Sequence, residues 1–167
     1  GLSLPVTTRY ESTEFSEGLL FTHRGLSGPA MLQISSYWKQ PHAITVNLLP
    51  AESLSDVLYE LKSLRPNMLL RTALAQKLPA KLVEQLLASD IYDLTLQEMS
   101  RTRLQNLADS IHQWTFQPNG TEGYRTAEVT LGGVDTDELS SKTMMSKSVM
   151  GLYFIGEVVD VTGWLGG

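Results

Sequence analysis

The feature that most constrains this chain is a hydrophobic period that changes twice, from the strand repeat of about 2 to the helical repeat of about 3.6 and back again. Leu2, Leu4, Val6, Thr8 and Tyr10 alternate with Ser3, Thr7 and Arg9, the pattern of a half-buried strand. A second strand is expected over Phe15 to Thr22, with Leu19, Leu20 and Phe21 the more buried part, before the chain turns at His23-Arg24-Gly25. Ser27 as N-cap and Gly28-Pro29 as entry predict a short helix over Met31 to Trp38, which Pro41 ends. Alternation resumes over Ala43 to Leu48.

After Pro50, Leu54, Val57, Leu58, Leu61 and Leu64 fall on one helical stripe, which Arg65-Pro66-Asn67 breaks. A second helix is expected over Met68 to Gln76. A third starts at Pro79, and a fourth runs to about Ser110 from a capping box of Thr95 and Glu98. From His112 the strand period returns with Trp114 and Phe116. Asn119-Gly120 supplies turn chemistry, and Gly123 to Leu131 predicts another strand with Ala127, Val129 and Leu131 on one face. The order implies a β subdomain of residues 1–50 and 111–131, with a small helical bundle, 51–110, inserted between its strands. Such an insertion is tolerated where both crossings lie close together at the surface.

Near the end, Leu152-Tyr153-Phe154-Ile155 is an unbroken apolar run, expected to be a strand buried on both faces of a parallel sheet. It ends in Gly156-Glu157, then passes Asp160 and Gly163 to Gly166-Gly167. Ligands of open α/β sheets sit beyond the carboxyl ends of strands, so a glycine that admits backbone and an acid that accepts hydroxyl hydrogen bonds suit a nucleotide there. Gly132-Gly133-Val134 follows the strand expected before it, and reads either as a turn or bulge or as clearance for a flat ring.

Composition narrows the functional classes. The 42% hydrophobic content is sufficient for a core, and a net charge of −5 without a basic cluster weighs against a nucleic-acid surface. The absence of cysteine excludes disulfides, Cys-ligated zinc, iron–sulfur clusters and a redox-active thiol pair from these 167 residues. His23, His42 and His112 lack ligand spacing, so no metal site is expected. No apolar run approaches the roughly 20 residues of a membrane span, and a cytoplasmic protein without membrane partners is expected. Gly25-Leu26-Ser27-Gly28-Pro29 fails as a hydrolase nucleophile elbow, because Pro29 stands where G-x-S-x-G needs glycine. Trp38, Trp114 and Trp164 are read as packing residues.

Three segments together with that tail carry a family resemblance: Leu20-Phe21-Thr22-His23-Arg24-Gly25-Leu26-Ser27-Gly28-Pro29, Ala127-Glu128-Val129-Thr130-Leu131-Gly132-Gly133-Val134 and Thr143-Met144-Met145-Ser146-Lys147. The chain resembles the HI0933-like family of FAD-dependent, NAD(P)/FAD-type oxidoreductases over essentially its whole length. The resemblance implies an α+β fold: a β-barrel-like subdomain with an inserted helical bundle, followed by a partial α/β FAD-binding segment over 132–167. It implies FAD as cofactor, a reduced nicotinamide nucleotide, NAD(P)H, as donor, and the remainder of an FAD-binding domain as partner. It sets Gly132, Gly133 and Val134 beside the flavin and assigns Glu157, with Gly156, to ribityl or ribose hydroxyls; Asp160, Gly163, Gly166 and Gly167 complete the cofactor set. Lys147, a cation for an anionic reduced flavin, and His23, a strand-end residue or one facing the flavin, are the catalytic candidates. The family's G-x-G-x-x-G turn does not occur in these residues. The chain is therefore expected to be a piece of a larger flavoprotein, colourless by itself. The rival expectation is a non-enzymatic barrel with a helical cap that binds a ligand or protein.

Overall fold

The computed structural model describes residues 1–163, which fall into two units, Gly1–Asn119 and the chain from Gly120 onward. In the first unit, β1 (Leu2–Tyr10), β2 (Thr13–Phe21), β3 (Leu26–Ser27), β4 (Ile44–Asn47) and β5 (Trp114–Phe116) form one sheet in the order β3-β2-β1-β4-β5. Every pairing is antiparallel, and the sheet curls into a half-barrel. Alternation decides its faces: Leu4, Val6, Thr8 and Tyr10 of β1 are buried, whereas Thr7 and Arg9 look outward to pair with Asn47 and Thr45. On β2 only Leu19 is fully buried, while Leu20 and Phe21 are half-buried, so this strand is less enclosed than its apolar run implies.

Five helices complete the unit: α1 (Pro29–Ser35), α2 (Leu54–Leu64), α3 (Leu70–Leu74), α4 (Ala80–Leu86) and α5 (Arg101–His112). The helical stripe predicted over Leu54 to Leu64 is α2 itself, capped by the Ser53 hydroxyl, which accepts from the Asp56 N–H. Helices and sheet share one hydrophobic cluster that joins Val6, Leu19 and Val46 to Leu58, Leu74 and Leu104. The helical segment leaves and rejoins the sheet at neighbouring strands, since β4 pairs with β5, and the Leu48 N–H donates to the Ile111 carbonyl at 3.1 Å.

Two caps differ from expectation. Ser27 pairs with Leu20 in the sheet, so Gly28 takes the N-cap position of α1 without a side-chain cap. Thr95 and Glu98 do bond each other, with Glu98 Oε2 accepting from the Thr95 N–H at 2.7 Å and its hydroxyl at 2.6 Å. They form a turn rather than a helix start. The Leu96 and Gln97 N–H groups are committed to the Met68 and Pro66 carbonyls, so α5 begins only after Ser100, whose hydroxyl accepts from the Arg103 N–H.

The unit from Gly120 has little regular structure. The strand expected over Gly123 to Leu131 does not form: Gly123 has φ +72°, and the Thr126 and Ala127 N–H groups both fold back onto its carbonyl. That curl removes the extended backbone that a ladder needs. The buried strand expected over Leu152 to Ile155 is also absent. Tyr153 makes one isolated bridge to Met145 and Ile155 is 77% exposed, because no described strand flanks the run on both sides. Short 3₁₀ turns at Thr136–Glu138 and Gly156–Val158, and a parallel bridge between Val134 and Val159, hold this unit around Leu139 and Val159.

Candidate functional site

The two glycine motifs, more than twenty residues apart in sequence, meet in the second unit. The Val134 N–H donates to the Val158 carbonyl at 2.8 Å, and the Asp160 N–H donates to the Val134 carbonyl at 2.9 Å. A Cβ on Gly133 would lie 2.6 Å from the Val158 oxygen and 2.9 Å from the Asp160 nitrogen. The absence of a side chain at Gly133 is thus required by the chain's own crossing segment, Val158 to Asp160. Gly132 and Gly156 differ: both have positive φ, +91° and +79°, and a Cβ on either would meet open space. These two glycines shape turns whose outer side is free for a ligand.

Glu157 sits in the turn after Gly156, exposed, and no described residue hydrogen-bonds or ion-pairs with its carboxylate. Asp160 is exposed as well, and its backbone N–H is the group that bonds the Val134 carbonyl. Gly163 is half-buried, while Trp164, Gly166 and Gly167 lie outside the described residues. The open backbone at Gly132 and Gly156, together with the unpaired carboxylate of Glu157, fits a cofactor carrying hydroxyl groups. A carboxylate accepts two such hydrogen bonds without needing a neutralising cation.

Lys147 belongs to the same unit but is engaged. Its Nζ donates to the Asp137 carbonyl at 2.7 Å and its N–H to the Glu138 carbonyl at 2.8 Å, which closes the end of the Thr136–Glu138 turn. Ser146 is buried, its hydroxyl accepting from the Ser148 and Val149 N–H groups. The signal that sequence reading missed is Val158-Val159: these residues supply the backbone against which Gly133 packs, and Val159 is one of the few buried side chains in the unit.

His23 lies in the other unit, on a turn organised around Thr22. The Thr22 hydroxyl donates to the Gly25 carbonyl and accepts from the Arg24 and Gly25 N–H groups, and the Thr22 N–H closes the turn to Gly25 at 2.8 Å. His23 is exposed there. The other histidines have architectural partners. His112 Nε2 accepts from the Leu54 N–H at 3.1 Å, so its proton is on Nδ1, which faces Asn47 Oδ1 at 2.9 Å; His42 Nδ1 lies 2.8 Å from the Tyr10 hydroxyl. Among the described residues no cluster of His, Cys, Asp and Glu could hold a metal ion, and no helix is long and apolar enough to cross a membrane.

Comparison with known proteins adds to this geometry. A family model described as "HI0933-like protein barrel and H2TH domain" matches residues 1–129. The whole chain aligns with two proteins named ribosomal RNA dihydrouridine synthase, at 54% identity in Haemophilus influenzae and 55% in Escherichia coli. In each case it spans 42% of the relative's length. A 3-dehydro-bile acid delta(4,6)-reductase of Clostridium scindens is 34% identical over 91 residues, covering 53% of this chain and 22% of that protein.

Proposed function

The chain belongs to the HI0933-like family, and from that premise we propose that it is part of a flavin-dependent reductase that saturates the C5–C6 double bond of uridine in ribosomal RNA. The observation that carries this reading is the 54% and 55% identity, over the entire chain, to proteins named for making dihydrouridine in ribosomal RNA. Dihydrouridine differs from uridine by two hydrogens across one carbon–carbon bond, so its formation is a two-electron reduction. The more distant bile-acid reductase bears a name of the same chemical class. In both, the reduced double bond is conjugated to a carbonyl, which makes its far carbon a hydride acceptor.

Flavin, when bound, would supply that hydride, a proton from solvent would complete the neighbouring carbon, and a reduced nicotinamide nucleotide would reduce the flavin again. This chain's share is to hold the cofactor. Gly132 and Gly156 let backbone approach it, and the Glu157 carboxylate accepts from its hydroxyl groups. Unpartnered apolar surface in the same unit supports docking of the remaining protein: Met150 is 94%, Ile155 77% and Val161 70% exposed. Docking of further chain would remove these side chains from water. Charge divides in the same sense. Seven acids, Glu122, Glu128, Asp135, Asp137, Glu138, Glu157 and Asp160, follow Asn119 against only Arg125, Lys142 and Lys147, so on this reading the less acidic first unit is the better candidate for RNA contact.

The test is reconstitution. The full-length protein is incubated with FAD, a reduced nicotinamide nucleotide and unmodified ribosomal RNA, and nucleosides are analysed by mass spectrometry for the gain of two hydrogens on uridine. Dihydrouridine formed only with all components supports the reading. A protein that neither retains FAD nor modifies RNA is instead the non-enzymatic binding module.

A further inference from the structure

We propose that the outer face of the half-barrel reads ribose hydroxyl groups of the RNA substrate, through an open cleft of about 600 Å³ across β1 and β4. The inference rests on the ribosomal-RNA reading above and adds the place and chemistry of contact. The cleft is lined by Thr7 and Arg9 of β1, Glu14 of β2 and Thr45 and Asn47 of β4, and is completed by Pro50 and, at the end of α5, His112 and Gln113.

Its polar groups are held in fixed directions. The Thr115 hydroxyl donates to the Gln113 carbonyl at 3.0 Å, so in the Thr45–Thr115 pair, at 3.1 Å, the Thr45 hydroxyl is the donor. Thr45 therefore turns its oxygen lone pairs outward as an acceptor. Asn47 is fixed the opposite way. Its Oδ1 accepts from the Leu49 N–H at 3.0 Å and from His112 Nδ1, which leaves its amide hydrogens as outward donors. Acceptor and donor thus stand two residues apart on one face of a strand, roughly 7 Å from each other along the chain.

Charge and shape select the ligand class. Arg9 Nε and Nη2 both bond Glu14 Oε2, at 3.0 and 2.8 Å, so the cation is matched by an acid and does not favour phosphate. The lining has no Tyr, Phe or Trp ring, and its one imidazole, His112, is held through both ring nitrogens by the Leu54 N–H and Asn47 Oδ1, so a broad platform for base stacking is missing. A neutral surface of oriented donors and acceptors suits hydroxyl groups, which do both. In RNA these are the 2′-hydroxyls displayed in the shallow minor groove, the feature that separates RNA from DNA.

The experiment measures binding of the full-length protein to a ribosomal-RNA hairpin and to a DNA hairpin of the same sequence, with amide shifts of Thr45 and Asn47 followed by NMR. RNA should bind more tightly and move both amides. Thr45→Val should weaken RNA about two- to tenfold, the worth of one hydrogen bond, and leave DNA unchanged. Gln113→Ala, an exposed change beyond the strands, gives a second reading should Thr45→Val fail to fold. Equal affinity for RNA and DNA, unmoved amides, or an unchanged RNA affinity in both variants overturns the proposal. So does free ribose that moves the same amides with an affinity equal to that of the hairpin, because the cleft is then a sugar site. A protein that keeps the RNA preference through Thr45 but never reduces uridine refutes the reductase reading and leaves this one standing.

Discussion

Gly28→Ala is expected to be among the most damaging single-methyl additions to this chain. Gly28 has φ +89° and ψ 168°, a region essentially reserved for glycine, where another residue costs about 1–3 kcal/mol. The new Cβ would lie 2.7 Å from the Gly18 carbonyl oxygen and 3.0 Å from the Leu20 nitrogen. Both are backbone atoms of β2 held in the ladder with β1, so neither can swing aside. Overpacking of this kind adds about 1–3 kcal/mol. The sum, roughly 2–6 kcal/mol, is a large part of the 5–15 kcal/mol typical of a domain. Relief of the clash separates β3 from β2 and frees the turn that displays His23. Gly25→Ala is the control: its φ of +142° is also unfavourable to other residues, but its Cβ would meet nothing within 4 Å. Urea unfolding of wild type and both variants reads the difference. The reasoning is refuted if Gly28→Ala is no more destabilising than Gly25→Ala.

Lys62 Nζ donates to the Leu96, Gln97 and Met99 carbonyls at 2.8, 3.1 and 2.6 Å, tying α2 to the turn before α5, so Lys62→Met should cost about 2–4 kcal/mol by the same urea assay. The Thr95 hydroxyl and N–H hold the Glu98 carboxyl below its ordinary pKa, so its stabilising effect is present above the unfolded value and is lost as pH falls through the folded one. Melting temperature should therefore fall less between neutral and acidic pH in Glu98→Gln than in wild type; identical pH dependence would contradict this. Glu157→Ala should leave thermal stability within about 0.5 kcal/mol, as for a surface change. In the full-length protein it should weaken FAD binding by one to two orders of magnitude, as loss of charge-assisted bonds worth roughly 1.5–3 kcal/mol implies. An unchanged flavin titration together with a destabilised chain would make Glu157 structural.

The sequence by itself determined those elements whose local signals agree. Leu54 to Leu64 forms its helix because an apolar stripe, a Ser53 cap and the break at Arg65-Pro66 all point the same way. Strand β1 follows from strict alternation, and β4 and β5 from the return of that period on either side of the helices. The family was legible too, in glycine and hydroxyl motifs that the fold uses. Tertiary structure alone decided the rest, because hydrogen-bond partners from distant segments override local preference. Thr95 and Glu98 have the chemistry of a helix start, yet the carbonyls of Pro66 and Met68 take the N–H groups that a helix would need. Ser27 could cap α1, but its backbone is drawn into a ladder with Leu20. The apolar run at Leu152 to Ile155 lies largely open to solvent, since a doubly buried strand requires neighbours on both edges. Gly133 shows the limit from the other side: its sequence left a turn or bulge and clearance for a ring both open, and only the segment Val158 to Asp160, whose backbone an added Cβ would meet at 2.6–3.0 Å, reveals an internal reason for it. A period of two or 3.6 is a property of neighbours along the chain, whereas a crossing is a property of neighbours in space.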